Sequence, residues 1–248
     1  MRRLAPALLG LCLVLALAAA PSAAPSAPSR AASTRLTVLA AASLTNVLPA
    51  IAPTPRYSFG GSDQLAAQIA QGAPADVYAA ASPKFPAQLF AQRLVLKPVP
   101  FTTNRLVVVV PRANPARIRT VGDLARAGVK VVAGDATVPI GAYTRQVLTR
   151  LNLTQVLGNV VSEETDVRGI LAKVALGEAD AGFVYVTDAR VAGSRVRTIA
   201  IPKRGQPSVR YEVAVVRASA HRAAAARFVR ELLSPRGQRI LARAGFGR

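Results

Sequence analysis

Short apolar runs alternate with segments of helical periodicity along most of this chain. Continuous apolar or β-branched runs at residues 36–40 and 106–110 predict buried strands. Further strands are predicted at residues 56–59, 129–133, 160–161, 181–186, 196–201 and 211–216, and closing helices at 221–233 and 235–244. Strands that alternate with helices predict an α/β architecture of parallel sheets, here two sheets rather than one.

Two serines follow predicted strands at points where small residues leave the backbone open. Ser43 comes after the strand at 36–40 and three alanines, and Ser62 comes after Gly60 and Gly61. Each opens a run with helical character, so each is a candidate N-cap. The first turn of a helix also presents free N–H groups that favour an anion, so capping and anion binding are both open at these serines.

Three more positions lie at strand ends or helix starts. Ile140 follows Pro139 in a predicted first helical turn, Val167 follows Thr165 and Asp166 at another, and Tyr185 lies near the end of a strand. In open α/β sheets, ligands bind beyond the carboxyl ends of the strands. We therefore expect these positions to converge with the two serines in a cleft between two lobes, although Tyr185 also fits a core tyrosine with a solvated hydroxyl.

Composition places the chain among globular proteins with a basic surface. Of 248 residues, 51% are hydrophobic and 18% charged, and the formal net charge is +20. The arginines are scattered and aromatic residues make up only 5%, which is poor for base stacking, so no nucleic-acid partner is predicted. A polyanion- or membrane-binding role would rest on the net charge alone.

The N-terminal stretch has the pattern of an export signal. Arg2 and Arg3 precede an apolar run at residues 8–20, which is short for a membrane span, so a signal peptide is predicted at 1–20. Residues 21–34, rich in Pro, Ala and Ser, are expected to form a flexible leader. Cys12 lies inside the signal, so an exported mature chain without cysteine is predicted, in the periplasm or cell-envelope space.

A series of motifs resembles one known family, the periplasmic molybdate-binding proteins that serve molybdate ABC importers. The motifs follow in order at residues 40–45, 59–62, 72–76, 134–143, 164–169 and 182–185. The resemblance implies a type II periplasmic binding protein fold, with two α/β lobes, a ligand cleft and a two-stranded hinge. Lobe 1 would comprise residues 35–108 and 210–248, the latter returning as C-terminal helices, and lobe 2 residues 109–209.

The resemblance also implies the ligand and its contacts. Molybdate or tungstate would be held by the hydroxyl and N–H of Ser43 and Ser62, the N–H of Ile140 and Val167, and the Tyr185 hydroxyl. The expected partner is the membrane permease of an ABC importer, and the expected state is a monomer without a cofactor. Another tetrahedral oxyanion, such as sulfate, remains an alternative because cleft size is not readable from the sequence.

Asp63 directly follows Ser62, so a carboxylate lies close to the predicted anion site. We expect this side chain to point into solvent, because successive residues at a helix start point in different directions and Ser62 takes the inward one. Repulsion of a bound anion would then be screened.

Enzymatic and metal-binding roles find little support in the sequence. A hydrolase would need a nucleophile and a base, but no Gly-x-Ser-x-Gly motif is present, and the single histidine, His221, begins a late helix. One histidine and no cysteine in the mature chain argue against a metal site. No enzyme activity is therefore predicted.

Overall fold

A computed structural model describes residues 35–247, and the predicted signal peptide at 1–20 and leader at 21–34 lie outside the described residues. The strands are β1 (Thr37–Ala41), β2 (Arg56–Gly60), β3 (Val77–Ala80), β4 (Val99–Asn104), β5 (Leu106–Pro111), β6 (Val131–Gly134), β7 (Val160–Glu164), β8 (Ala181–Tyr185), β9 (Val196–Ala200) and β10 (Val209–Val215). The α-helices are α1 (Leu48–Ile51), α2 (Ser62–Ala70), α3 (Lys84–Ala91), α4 (Pro139–Arg150), α5 (Val167–Leu176), α6 (Val186–Ala192), α7 (Arg222–Leu233) and α8 (Pro235–Ala244).

The strands form two sheets of the same design, which confirms the two-lobed α/β prediction. The first sheet has the order β2-β1-β3-β10-β4 and the second the order β7-β6-β8-β5-β9. The first three strands of each sheet are parallel, and the fourth runs antiparallel to both its neighbours. The expectation of purely parallel sheets is therefore wrong: a strand that arrives from the other lobe needs no crossover helix and can join in the opposite direction.

The chain crosses between the sheets twice. β4 and β5 are separated only by Arg105, and residues 201–208 connect β9 to β10. The first change of sheet thus falls at Arg105, before the predicted lobe boundary after residue 108. α7 and α8 pack back on the first lobe, where Gly247 pairs with Thr103 at the edge of β4.

Burial on both faces explains why the strand signals were apolar runs. In β1, Val38 and Ala40 belong to one hydrophobic core and Leu39 to a second core beneath α2 and α3. A strand covered on both faces has no polar side and reads as a continuous apolar stretch. The segments that follow the carboxyl ends of the parallel strands in both sheets form the candidate site.

Candidate functional site

The five positions predicted for the site lie together around one cavity of about 240 Å³, counting the part open to solvent. Its remaining walls are small or apolar except for one carboxylate. The predicted residues on its wall are Ser43, Ser62, Ile140, Val167 and Tyr185, and all of them are buried. The first two come from loops of the first sheet and the other three from the second, so the cavity lies between the lobes.

Ser43 lies in a short 3₁₀ helix, Ala42–Leu44, directly after β1. The N-cap of that helix is Ala41, which makes no side-chain cap, so the capping role considered for Ser43 is wrong. The Ser43 hydroxyl instead forms a buried hydrogen bond with the Tyr211 hydroxyl, at 2.8 Å. A hydroxyl can take part in up to three hydrogen bonds, so Ser43, which lines the cavity, can also bond a ligand there.

Ser62 is the first residue of α2, and its N-cap is Gly61 rather than the serine. The Ser62 hydroxyl accepts a hydrogen bond from the N–H of Ala81 at 3.1 Å, while the Tyr78 hydroxyl donates to the Ser62 carbonyl at 2.5 Å. The capping role is again wrong, because the side chain points away from its own helix. Ser62 keeps its hydroxyl hydrogen for another acceptor.

Ile140 occupies the first turn of α4, where Pro139 opens the helix. The first N–H groups of a helix have no partner inside it, so the Ile140 N–H is available to a group in the cavity. Gly141 fixes this turn in place, because a Cβ there would overlap the carbonyl oxygens of Gly134 and Asp135. The start of α4 is thereby pressed against the end of β6.

Val167 begins α5, whose N-cap is Asp166. The Asp166 carboxylate accepts hydrogen bonds from the N–H of Arg168 at 2.7 Å and of Gly169 at 3.3 Å. The N–H of Val167 lies outside this cap. Asp166 is also the one carboxylate on the cavity wall, and its Oδ1 is the oxygen that accepts both capping bonds.

Tyr185 ends β8, and its hydroxyl is a buried polar group with no hydrogen-bond partner in the described part of the chain. Burial raises the pKa of this tyrosine well above its ordinary value, so the hydroxyl stays neutral and able to donate. A core tyrosine with a solvated hydroxyl, the alternative considered above, does not fit. A buried unpaired hydroxyl costs free energy unless something in the cavity accepts its hydrogen bond.

No arginine or lysine of residues 35–247 lines the cavity. Arg168 and Asp188 form an ion pair in which Arg168 Nε is 3.2 Å from the buried carboxylate, and neither residue lines the cavity. Burial raises the pKa of Asp188 to about 7, against the lowering effect of Arg168. Apart from the Asp166 carboxylate, the cavity wall is therefore uncharged.

Direct contacts join the two lobes at the cavity rim. The Arg168 guanidinium donates to Asn46 Oδ1 at 2.6 Å, and the Thr137 hydroxyl, whose shorter bond of 2.7 Å goes to Asp135, lies 3.3 Å from Asp63 Oδ2. A Cβ on Gly61 would lie 2.5 Å from the carbonyl oxygen of Thr165. The lobes are thus closed over the cavity.

Asp63 differs from its expected placement. The side chain does not line the cavity, as predicted, but it is only half exposed and its Oδ1 is buried. Its other oxygen bonds Thr137 of the opposite lobe instead of pointing into solvent. The helix start that turns Asp63 away from Ser62 turns it toward the other lobe, which the sequence pattern does not show.

The residues that support Ser43 were missed by sequence reasoning. Asn104 Nδ2 donates to Thr187 Oγ1 at 3.0 Å and to Tyr211 Oη at 3.4 Å, and all three residues are buried. They come from β4, α6 and β10, far apart in the chain. No local signal indicates them, because Asn104 follows two threonines at the end of β4 and its burial is not visible in the sequence.

Among residues 35–247, Ser219, Asp76 and His221 form a grouping that resembles the parts of a hydrolase site. The Ser219 hydroxyl donates to Asp76 Oδ1 at 2.6 Å, and His221 Nδ1 lies 3.1 Å from the same oxygen. Burial alone would raise the pKa of Asp76, but hydrogen bonds from Ser219 and Thr37 lower it. The serine thus bonds a carboxylate and not a basic nitrogen, so nothing there activates it as a nucleophile.

Within residues 35–247, no group of three or more His, Cys, Asp or Glu side chains is placed to hold a metal ion. Across the same part of the chain, no helix has both the length and the apolar character needed to cross a membrane.

A two-lobed α/β fold with a donor-lined cavity between the lobes defines a solute-binding protein. Residues 36–247 match the sequence model of the family described as bacterial extracellular solute-binding protein, and the chain belongs to this family. The match covers both lobes and the returning C-terminal helices.

Individual relatives give a more specific comparison than the family model does. The molybdate-binding protein ModA of Mycobacterium tuberculosis is 37% identical over 193 residues, 77% of this chain and 73% of that protein. ModA of Haemophilus influenzae is 34% identical over 236 residues, 88% and 92% of the two chains. The periplasmic molybdate-binding protein of Azotobacter vinelandii superposes with a TM-score of 0.78 at 23% identity, covering 86% of this chain and 99% of the other, which supports the fold.

Proposed function

We propose that the protein captures molybdate or tungstate in the cavity between its lobes and delivers it to the permease of an ABC importer. The ligand would accept hydrogen bonds from the hydroxyl and N–H of each serine, from the N–H groups that open α4 and α5, and from the Tyr185 hydroxyl. The observation that carries the proposal is this buried hydroxyl, which lacks a partner and belongs to the wall of a cavity rich in donors.

Neutral donors suit a dianion better than a buried cation would. Two helix N-termini, those of α4 and α5, direct partial positive charge toward the cavity. An arginine or lysine in the same place would have to lose its own hydration, a cost of several kcal/mol per ion in protein interiors, roughly as large as the attraction gained.

The cavity presents donors and few acceptors, which favours a fully deprotonated oxyanion. Asp166 lines the cavity, but its Oδ1 is engaged by two N–H groups of α5. An oxyanion that keeps a proton would face a donor with its O–H and lose a hydrogen bond. Molybdate, tungstate and sulfate meet this requirement at neutral pH.

Sulfate is the second candidate, since it is tetrahedral, doubly charged and unprotonated. The sequence relatives at 34–37% identity are named for molybdate, which favours the larger oxyanions. The geometry of the donors alone does not separate the two ligands, so competition between them must be measured.

The proposal includes the setting of the protein. We expect it to act as a monomer. Export to the periplasm or cell-envelope space through a signal peptide at 1–20 fits the extracellular family. Lobe 1 would comprise residues 35–108 and 210–248 and lobe 2 residues 109–209, with the hinge close to Arg105.

Thermal unfolding with and without oxyanion tests the proposal. A ligand at a hundredfold excess over its Kd adds roughly 2.7 kcal/mol to the free energy of unfolding, so molybdate and tungstate should raise the Tm of residues 34–248 clearly. A variant that combines Ser43→Ala and Ser62→Ala is the matched control and should lose most of the shift. If none of molybdate, tungstate or sulfate raises the Tm, the proposed function is wrong.

A further inference from the structure

A second cavity, of about 960 Å³, opens on the second lobe and shares no residue with the cavity between the lobes. Two stretches of chain supply most of its wall: residues 113–122, which follow β5, and residues 197–204, which include most of β9 and the turn after it. Its volume lies near the upper end of the roughly 300–1,000 Å³ typical of ligand pockets. The function proposed above makes no use of this cavity.

Four exposed arginines belong to the wall of this second cavity. Arg117 and Arg119 come from the first stretch, and Arg197 and Arg204 come from the second. Within residues 35–247, none of their guanidinium groups makes a hydrogen bond or an ion pair, and no acidic residue lines the cavity. A concave wall with charge of one sign concentrates the field and attracts ligands of the opposite charge.

The carboxylate that lies close to this wall in sequence is already engaged. Asp123 Oδ2 accepts hydrogen bonds from the N–H groups of Arg119 and Thr120, both at 2.8 Å. Its Oδ1 lies 4.0 Å from Arg126 Nε, and Asp123 does not line the cavity. The four guanidinium groups are therefore left for an anion from outside the protein.

The turn that carries Arg117 is held in one conformation. Arg117 has a φ of 50°, in the left-handed region that few residues other than glycine adopt. Asn114 closes the turn, because its side chain accepts the N–H of Ile118 at 3.0 Å and donates to the carbonyl oxygen of Ile118 at 2.8 Å. These bonds offset the strain and fix the backbone position of Arg117 on the wall.

The same wall has an apolar part. Leu151 and Leu153 follow α4 and Ile199 belongs to β9, and all three are half-buried, while Ile118 is fully buried beneath them in the core. Partly exposed apolar side chains beside guanidinium groups suit a ligand that combines anionic groups with an apolar or planar body.

We propose that this cavity of the second lobe is a second ligand site, which binds a free organic polyphosphate, a molecule with several phosphate groups on an apolar or planar body. Guanidinium groups bind phosphate oxygens in bidentate geometry, so clustered arginines match clustered phosphates. A concave cavity fits a free molecule better than it fits the flat headgroup surface of a membrane. The proposal is independent of oxyanion capture between the lobes.

Calorimetric titration with ATP, at physiological salt and without divalent cations, tests this site. ATP is the probe because it has three linked phosphates and a planar base. We expect one ATP per chain, bound more tightly than tripolyphosphate, which has no body to contact the apolar part of the wall. Saturating molybdate should leave the affinity for ATP unchanged, because the two cavities share no residue.

A double variant, Arg117→Gln with Arg197→Gln, removes one arginine from each stretch of the wall. The affinity for ATP should fall roughly tenfold or more, since each arginine lost is a charged donor to phosphate. The matched control is Arg227→Gln with Arg239→Gln, at exposed positions of α7 and α8 outside the cavity. It removes the same charge and should change the affinity less than about threefold.

The outcomes separate a defined site from general attraction to a basic protein. Equal weakening by the two double variants, each shown to be folded by its unfolding transition, would assign ATP binding to net charge and overturn the proposal. No ATP binding, equal affinity for ATP and tripolyphosphate, displacement of ATP by molybdate, or binding to phosphatidylglycerol vesicles without binding of ATP would overturn it as well.

Molybdate binding by the same variants keeps this inference distinct from the proposed function. Arg117→Gln with Arg197→Gln should retain the parental affinity for molybdate, because neither residue lines the cavity between the lobes. A protein that binds molybdate but no polyphosphate would contradict the second site alone. A protein that binds ATP as described but no tetrahedral oxyanion would contradict the proposed function alone.

Discussion

The two lobes have the same strand order, yet they contribute different kinds of donor to the cavity. The first lobe supplies the serine hydroxyls, and each already has a protein partner: Ser43 bonds the Tyr211 hydroxyl, and Ser62 accepts from the Ala81 N–H. The second lobe supplies N–H groups at the start of two helices and the Tyr185 hydroxyl, which has no protein partner among the described residues. Donors in the first lobe are therefore part of the fold, whereas Tyr185 has no internal bond to lose.

Gly141→Ala should have the largest effect on molybdate affinity, because it displaces backbone donors of the second lobe. The new Cβ would overlap the carbonyl oxygens of Asp135 and Gly134, so the first turn of α4 and the Ile140 N–H must move. Losing a well-placed donor to a charged ligand and disturbing its neighbours should weaken molybdate binding roughly a hundredfold or more. Calorimetry measures this loss.

Gly122→Ala is the control in the same lobe, since its Cβ would meet Thr120 Oγ1 at an ordinary 3.6 Å. It should bind molybdate like the parent. Parental affinity in Gly141→Ala would show that the start of α4 does not hold the ligand.

Ser43→Ala and Ser62→Ala come next, and each should cost both affinity and stability. Loss of a hydroxyl donor to a charged ligand costs roughly 1.5–3 kcal/mol of binding free energy. The Tyr211 hydroxyl or the Ala81 N–H is left unpaired as well, which lowers the free energy of unfolding by roughly 1–3 kcal/mol. Titration calorimetry and denaturant unfolding measure the two losses.

Ser58→Ala, at an exposed serine of β2, provides the comparison and should change neither quantity. Serine variants that lose stability while retaining full affinity would reduce both serines to structural roles.

Tyr185→Phe tests most directly the difference between the donors of the two lobes. The hydroxyl makes no hydrogen bond within the described structure, so its removal should leave the ligand-free protein as stable as the parent or more stable. Molybdate affinity should fall by roughly 1.5–3 kcal/mol. Unfolding of the ligand-free protein and calorimetry with ligand give the two numbers, and a stability loss with intact affinity would contradict the assignment.

Asp188→Asn should change the pH dependence of stability more than it changes affinity. Burial raises the pKa of Asp188 from an ordinary 3.8 to about 7, so the folded protein holds this proton more tightly than the unfolded chain does. The contribution of this group to stability therefore falls as the pH rises from about 4 to about 7. Carboxyls with lowered pKa, such as Asp76 and Glu164, lose their stabilising contribution at lower pH.

Asp188→Asn should flatten the decline between about pH 4 and 7. Urea unfolding at a series of pH values measures it. A decline of equal size in the variant would assign it to another group, for example Glu212, whose pKa burial also raises.

Asp63→Asn should have the smallest effect on affinity. The carboxylate faces Thr137 across the cleft rather than the cavity, and an amide oxygen can accept the same hydrogen bond. Molybdate affinity should change less than about tenfold at physiological salt. A gain of a hundredfold or more would show that Asp63 repels the ligand directly, and would argue for a neutral or cationic ligand.

Most strands and the positions of the site residues could be predicted from the sequence, whereas β4 and the antiparallel strands could not. Strands buried on both faces, such as β1 and β5, leave an unbroken apolar signal, and the small residues around Ser43 and Ser62 mark where strands end. β4 was not predicted, because Pro100, Thr102 and Thr103 break its apolar pattern. The antiparallel fourth strands depend on the crossing at Arg105, and no local pattern reports a crossing.

The hydrogen bonds that each site residue makes were harder to predict from the sequence. The serines were equally good N-caps in sequence terms, and only tertiary contacts decide otherwise: Tyr211 lies 168 positions from Ser43 and Ala81 lies 19 from Ser62. Asn104 and Tyr211, which surround the Ser43 hydroxyl bond, come together only through the long-range pairing of β4 with β10. The local sequence pattern locates the donors, but tertiary contacts decide which groups they bond.

Calorimetric titration of residues 34–248 with molybdate, in the absence and presence of excess sulfate, tests the central claim most directly. We expect one molybdate per chain, tungstate binding of similar strength, and sulfate displacing molybdate only weakly. Binding of no tetrahedral oxyanion at all, or tight binding of hydrogen phosphate in preference to the unprotonated dianions, would contradict a cavity built of directed neutral donors.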